Sequence, residues 1–100
     1  MYISRLTFHT NPGQTQMVGQ ELQKLLDMVK NVGGIRPRIL HNHFASQGAP
    51  DVVFEQEASD LETLESQIKA VTERDDFQQW TGTMSGLLAQ SPKREIYITD

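Results

Sequence analysis

The chain has 100 residues, 37% hydrophobic and 22% charged, and its 13 acidic against 9 basic side chains leave a net charge of −4. That length and composition predict one domain, residues 1–100, with a single two-layer core, and the negative charge disfavours nucleic-acid partners, whose affinity rests on basic surface. The absence of cysteine excludes disulfide scaffolds, thiolate metal sites and cysteine nucleophiles. No stretch approaches the roughly 18 apolar residues of a membrane span, and no signal-like segment opens the chain, so no membrane association and a cytoplasmic location are expected.

From Tyr2 to Thr10 the residues alternate, Tyr2, Leu6 and Phe8 opposing Ile3, Arg5, Thr7 and His9, which is the period of a strand. Asn11-Pro12-Gly13 has turn chemistry. Val18, Leu22, Leu25, Leu26 and Val29 then form one apolar stripe at helical spacing, closed by Gly33-Gly34. Alternation resumes from Arg38 to Ala45, with Leu40 and Phe44 on one side and Ile39, His41 and His43 on the other. After the turn-rich Ser46-Gln47-Gly48-Ala49-Pro50, the segment Val52 to Ala58 opposes Val52, Phe54 and Ala58 to Val53, Glu55 and Glu57, completing a hairpin.

Ser59-Asp60-Leu61-Glu62 fits a capping box, and Leu61, Leu64, Ile68 and Val71 carry the second helix. Arg74-Asp75-Asp76 reads as a break and restart, after which Phe77, Trp80 and Met84 continue a helical face that Leu87 and Leu88 extend. Pro92 ends it. Lys93 to Thr99 is a fourth strand, Ile96 and Ile98 opposing Glu95, Tyr97 and Thr99. The order βαββαβ predicts an α+β ferredoxin-like domain: a four-stranded antiparallel sheet, two helices on one face and the other face open.

Parity sends Leu6, Phe8, Leu40, Phe44, Phe54, Ile96 and Ile98 under the helices. The open face then receives Ile3, Arg5, Thr7, His9, Ile39, His41, His43, Val53, Glu55, Glu57 and Tyr97. A face this apolar predicts dimerisation through it. Val53-Phe54-Glu55-Gln56-Glu57, the capped helix that follows, and Asp76-Phe77-Gln78-Gln79-Trp80 resemble the third-strand and second-helix layout of the dimeric α/β barrel superfamily. The similarity is to its NIPSNAP-like and antibiotic-biosynthesis-monooxygenase-like branches, and it spans nearly the whole chain in element order. It implies a homodimer with facing sheets and a small-molecule pocket between sheet and helices. Members range from cofactor-free oxygenases and haem-degrading enzymes to proteins of no known activity.

A register pairing His43 with Glu55 also pairs His41 with Glu57, and a slip of one residue separates them. Imidazoles beside carboxylates suit general acid/base work or a divalent metal; plain cross-strand pairing at an interface is the alternative. The candidate catalytic set is therefore His9, His41, His43 and Glu55. Arg5, Glu57, Phe77, Trp80 and Tyr97 are the candidate substrate contacts, although Phe77 and Trp80 also fit a core role. One chain supplies no third fixed metal ligand, and no phosphate-cradling glycine loop or serine nucleophile elbow is present, so neither a metal nor another cofactor is expected.

The leading functional reading is a dimeric protein that binds a small aromatic or apolar molecule, with cofactor-independent oxygenation or isomerisation as the candidate chemistry. A non-catalytic binding or assembly module is the alternative. Haem binding or degradation ranks third, because Phe77 to Gln90 holds no histidine and the first strand no asparagine.

Overall fold

The computed structural model describes all of residues 1–100, in the order β1 (Tyr2–Phe8), α1 (Thr15–Asn31), β2 (Ile35–His41), β3 (Val52–Ala58), α2 (Leu61–Thr72), α3 (Asp75–Ser85) and β4 (Lys93–Ile98). The strands form one antiparallel sheet ordered β2-β3-β1-β4, the ferredoxin-like arrangement. Leu6 lies opposite Phe54 on one neighbour and Arg94 on the other. The even-numbered residues of β1, β3 and β4 therefore share the helix-covered side, and the odd-numbered residues share the open side.

The core joins Phe8, Val52 and Phe54 of the sheet to Val18, Leu22, Leu25, Met28 and Val29 of α1, Val71 of α2, and Trp80 and Met84 of α3. The α1 stripe follows the predicted spacing, since residues three and four apart share one helical face. Gly33, at φ 86°, ends α1 in the left-handed conformation that glycine adopts without strain. Its N–H reaches Lys30 O, and that of Gly34 reaches Val29 O.

Three helices are present where two were expected. Arg74 is extended and its guanidinium grips Asp76 through two 2.9 Å bonds, while Asp75 and Asp76 occupy the first turn of α3, where carboxylates oppose the helix dipole favourably. The restart at Arg74 thus begins a separate helix, and that helix stops at Ser85, short of Leu87 and Leu88. The cap of α2 also differs from the expected box. Asp60, not Ser59, is the N-cap, accepting from Thr63 N at 2.7 Å.

The largest departure concerns β2, which ends at His41 instead of running to Ala45. A bulge between Ile35 and Arg38, with Arg36 at φ 49°, resets its register. Ile39 pairs with Phe54 and His41 with Val52, so both take the helix-covered side, and Leu40 and Arg38 take the open side. This reverses the expected parity. An edge strand with apolar residues on both faces specifies its register weakly, and here the ion pairs of Arg38 with Glu55 and Glu57 decide it. Phe44 is 96% exposed, in a loop from residue 42 to 51 that is closed by Asn42 N donating to Asp51 O.

Candidate functional site

On the open side, the alternation of β1 and β3 and the bulge in β2 bring opposite charges together. Both oxygens of Glu55 are occupied: Arg5 Nε donates to Oε2 at 2.7 Å and Arg38 Nε to Oε1 at 2.9 Å. Arg38 Nη1 also reaches Glu57 Oε2 at 2.8 Å. Burial works against the Arg38 charge, yet its bonds to Glu57 and Glu55 outweigh this and hold its pKa above the ordinary guanidinium value. Arg5 in turn lies over the Tyr97 ring at 5.3 Å, a cation–π contact.

Four predicted site residues, Arg5, Glu55, Glu57 and Tyr97, therefore meet, joined by an arginine that the sequence reading had not singled out. The histidines do not join them. The His41 ring covers Gly19 of α1 on the opposite side of the sheet, where a side chain on Gly19 would collide with it. His43 is exposed in the loop beyond β2, and His9 lies past the end of β1, its carbonyl accepting from Ala89 N. The expected pairings of His43 with Glu55 and His41 with Glu57 are not formed, because Glu55 faces Arg38. No group of three His, Asp or Glu side chains converges anywhere in the chain.

The helix-covered side holds a different kind of site. Between α3 and strands β1 and β4 lies a cavity of about 460 Å³, lined by Leu6 and Phe8, by Phe77, Trp80, Thr81, Met84 and Ser85 of α3, by Leu88 to Pro92 in part, and by Arg94 of β4. Its size falls in the range of small-molecule sites, about 300–1,000 Å³. Phe77 and Trp80 form one wall, their ring centroids 5.5 Å apart. Trp80 is also largely buried, and its indole N–H donates to Glu21 O at 2.7 Å, which ties α3 to α1. Trp80 thus belongs to the core cluster and also lines the cavity.

Arg94 is the one ionisable residue of that lining. Its guanidinium turns inward to the hydroxyl of the buried Ser4. The ion pairs of the chain engage Arg5, Arg38 and Arg74 but not Arg94, and burial pushes its pKa down. A guanidinium remains charged even so; Arg94 is exposed as a residue, so water reaches part of it, while its inward end meets the Ser4 hydroxyl and no carboxylate. Sequence reasoning passed over Arg94 although a signal was present: it shares parity with Ile96 and Ile98, which had been placed under the helices. A lone charge on an apolar face is the kind of exception that calls for a partner. With no His, Asp or Glu in the lining, the cavity can hold an apolar body and a negative charge but offers no carboxylate or imidazole base.

No helix is long and apolar enough to cross a membrane. No protein-family model matches the chain, and no curated protein matches it in sequence. Solved structures do match. An uncharacterised NIPSNAP domain protein from Burkholderia xenovorans superposes with a TM-score of 0.81 at 15% identity, over 100% of this chain and 95% of that one. A Nitrosomonas europaea protein provisionally described as an antibiotic biosynthesis monooxygenase gives 0.74 at 14% identity, over 99% and 98%. Another structure described as an antibiotic biosynthesis monooxygenase gives 0.69 at 14% identity, over 100% and 99%. The resemblance read from the sequence is thus matched in three dimensions: the chain has the ferredoxin-like fold shared by NIPSNAP domain and antibiotic-biosynthesis-monooxygenase structures.

Proposed function

We propose that this chain binds a small aromatic or apolar molecule in the cavity between α3 and β4, with Arg94 facing the polar end of the ligand. The observation that carries this reading is the Arg94 guanidinium, which has no carboxylate partner, at the edge of a lining whose walls are Leu6, Phe8, Phe77, Trp80, Met84 and Leu88 with Thr81, Ser85, Gln90 and Ser91 between them. Trp80 is the sole tryptophan and stands in the cavity wall, so its emission reports occupancy directly. Titration with 4-phenylbutanamide is expected to change that emission saturably, and Thr81→Phe, which fills the cavity from an exposed α3 position, is expected to weaken the response at least tenfold. A linear, non-saturating response in the unmodified protein would refute the proposal.

Cofactor-independent oxygenation is the second reading, supported by the monooxygenase descriptions of similar structures and by Arg94. A substrate acidic enough to arrive as a phenolate or enolate would have its charge stabilised there. Such an anion gives an electron to dioxygen, and the net change converts an activated CH₂ and O₂ into C=O and water. The absence of a carboxylate or imidazole base from the lining favours binding as the primary reading.

The open face supports a homodimer. Ile3, Leu40, Val53 and Tyr97 interleave there with the ion pairs, and Leu40 and Tyr97 are 40% and 46% exposed. A second copy placed over this face would cover both the apolar groups and the flanks of the buried Glu55. Sedimentation is expected to give twice the chain mass, reverting to the single-chain mass in Leu40→Glu. A single-chain mass for the unmodified protein at micromolar concentration would exclude the dimer.

A further inference from the structure

We infer that the inner end of the cavity is a carboxylate-binding subsite built from Gln56 and from Arg94, which the Ser4 hydroxyl holds in place, so that the ligand class is a small carboxylic acid with an aromatic or apolar body. This rests on the reading of the cavity as a ligand site and adds the identity of the ligand's polar group.

Ser4 and Gln56 stand opposite each other across β1 and β3, on the side of the sheet that otherwise presents Leu6, Phe8, Val52 and Phe54. They are 1% and 4% exposed. Buried polar groups are nearly always satisfied, yet Gln56 Nε2 has no hydrogen-bond partner. The Ser4 hydroxyl accepts from Arg94 and keeps its own hydrogen to donate. Two donor groups, the Gln56 amide and the Arg94 guanidinium, thus line one recess, and no carboxylate answers them.

Beside the main cavity is a recess of about 20 Å³ that shares Leu6, Phe77 and Arg94 with it and is lined further by Gln56 and by apolar residues including Val29 and Val71. A water-sized group needs roughly 10–15 Å³ measured in this way. The recess therefore takes one oxygen atom. A planar carboxylate matches both features: one oxygen enters the recess against Gln56, and the other stays in the main cavity on Arg94. A water in the recess would satisfy Gln56 and leave the charge of Arg94 unanswered. A phenolate has one oxygen and cannot serve both. A sulfonate carries a third oxygen, for which the recess has no further donor, the Thr72 hydroxyl being given to Lys69 O.

The test compares three probes of one shape on the unmodified protein by Trp80 emission: 4-phenylbutanoate, 4-phenylbutanamide and 3-phenylpropane-1-sulfonate. The carboxylate is expected to bind at least tenfold tighter than the amide, and the sulfonate no tighter than the amide. Gln56→Leu is expected to remove about tenfold of carboxylate affinity and less of the amide affinity, because a hydrogen bond to a charged group is worth more than one to a neutral group. If Gln56→Leu does not fold, the probe comparison decides by itself. Equal affinity for carboxylate and amide, or a sulfonate that matches the carboxylate, overturns the subsite and leaves the cavity reading standing. Failure of all three probes to bind overturns both.

Discussion

Replacing Trp80 by alanine is expected to lower the unfolding free energy by about 3–5 kcal/mol, the range for deleting a large buried aromatic. The effect follows from what the indole joins. Trp80 is 8% exposed, packs against Phe77, belongs to the core cluster with Met84, and donates to Glu21 O across to α1. Truncation opens a void continuous with the existing cavity and leaves a backbone carbonyl of α1 short of its donor. A chain of this size has a total stability of about 5–15 kcal/mol, so Trp80→Ala should be partly unfolded in mild urea, as measured by far-UV circular dichroism. Trp80→Phe keeps most of the packing and loses the hydrogen bond, for an expected cost of about 1–2 kcal/mol. A loss below about 1 kcal/mol in the alanine variant would mean that α3 is not anchored through this residue.

Glu55→Ala is expected to cost about 2 kcal/mol, because it deletes the acceptor shared by two arginines. Breaking a fully buried ion pair costs about 3–5 kcal/mol. The side chains of Arg5 and Arg38 are 39% and 34% exposed, so water recovers part of that loss. Arg5→Ala should cost less, about 1 kcal/mol, since Glu55 then retains Arg38. Replacing Arg5, Glu55 and Arg38 together by methionine is expected to come close to neutral, because no uncompensated charge remains. Urea midpoints of the three variants test this set. A triple variant as destabilised as Glu55→Ala would contradict the account of the ladder as charge compensation and place the effect in packing.

Much of the framework was legible in the residues. The α1 stripe and the alternation of β1 and β3 are local patterns set by the geometry of one element, and each survives in the structure with small shifts at its ends. By contrast, Ile96 and Ile98 of β4, expected to pack under the helices, are 44% and 69% exposed because no helix reaches this edge strand. Even the break before α3 was visible at Arg74-Asp75-Asp76, although its consequence, a separate third helix, was not. The failure at β2 has a physical cause. Leu40 and Phe44 alternate as well as Ile39 and His41 do, and nothing local distinguishes the two faces. Only the reach of Arg38 to Glu55 and Glu57, through a bulge at Arg36, selects one of them. The three histidines had gathered on paper because they shared a parity, and that parity changed with the register.

The candidate site divides along the same line. By itself the sequence determined that a helix-covered sheet would have an open face carrying Arg5, Glu55, Glu57 and Tyr97, since strand period and element order suffice for that. Tertiary structure alone decided that Arg38 would lock Glu55, that His41 would cover Gly19, and that α3 would stand off β4 to leave a cavity beside Arg94, with a recess reaching Gln56. Those features depend on distances between elements far apart in the chain, and periodicity within one element carries no information about the spacing between two.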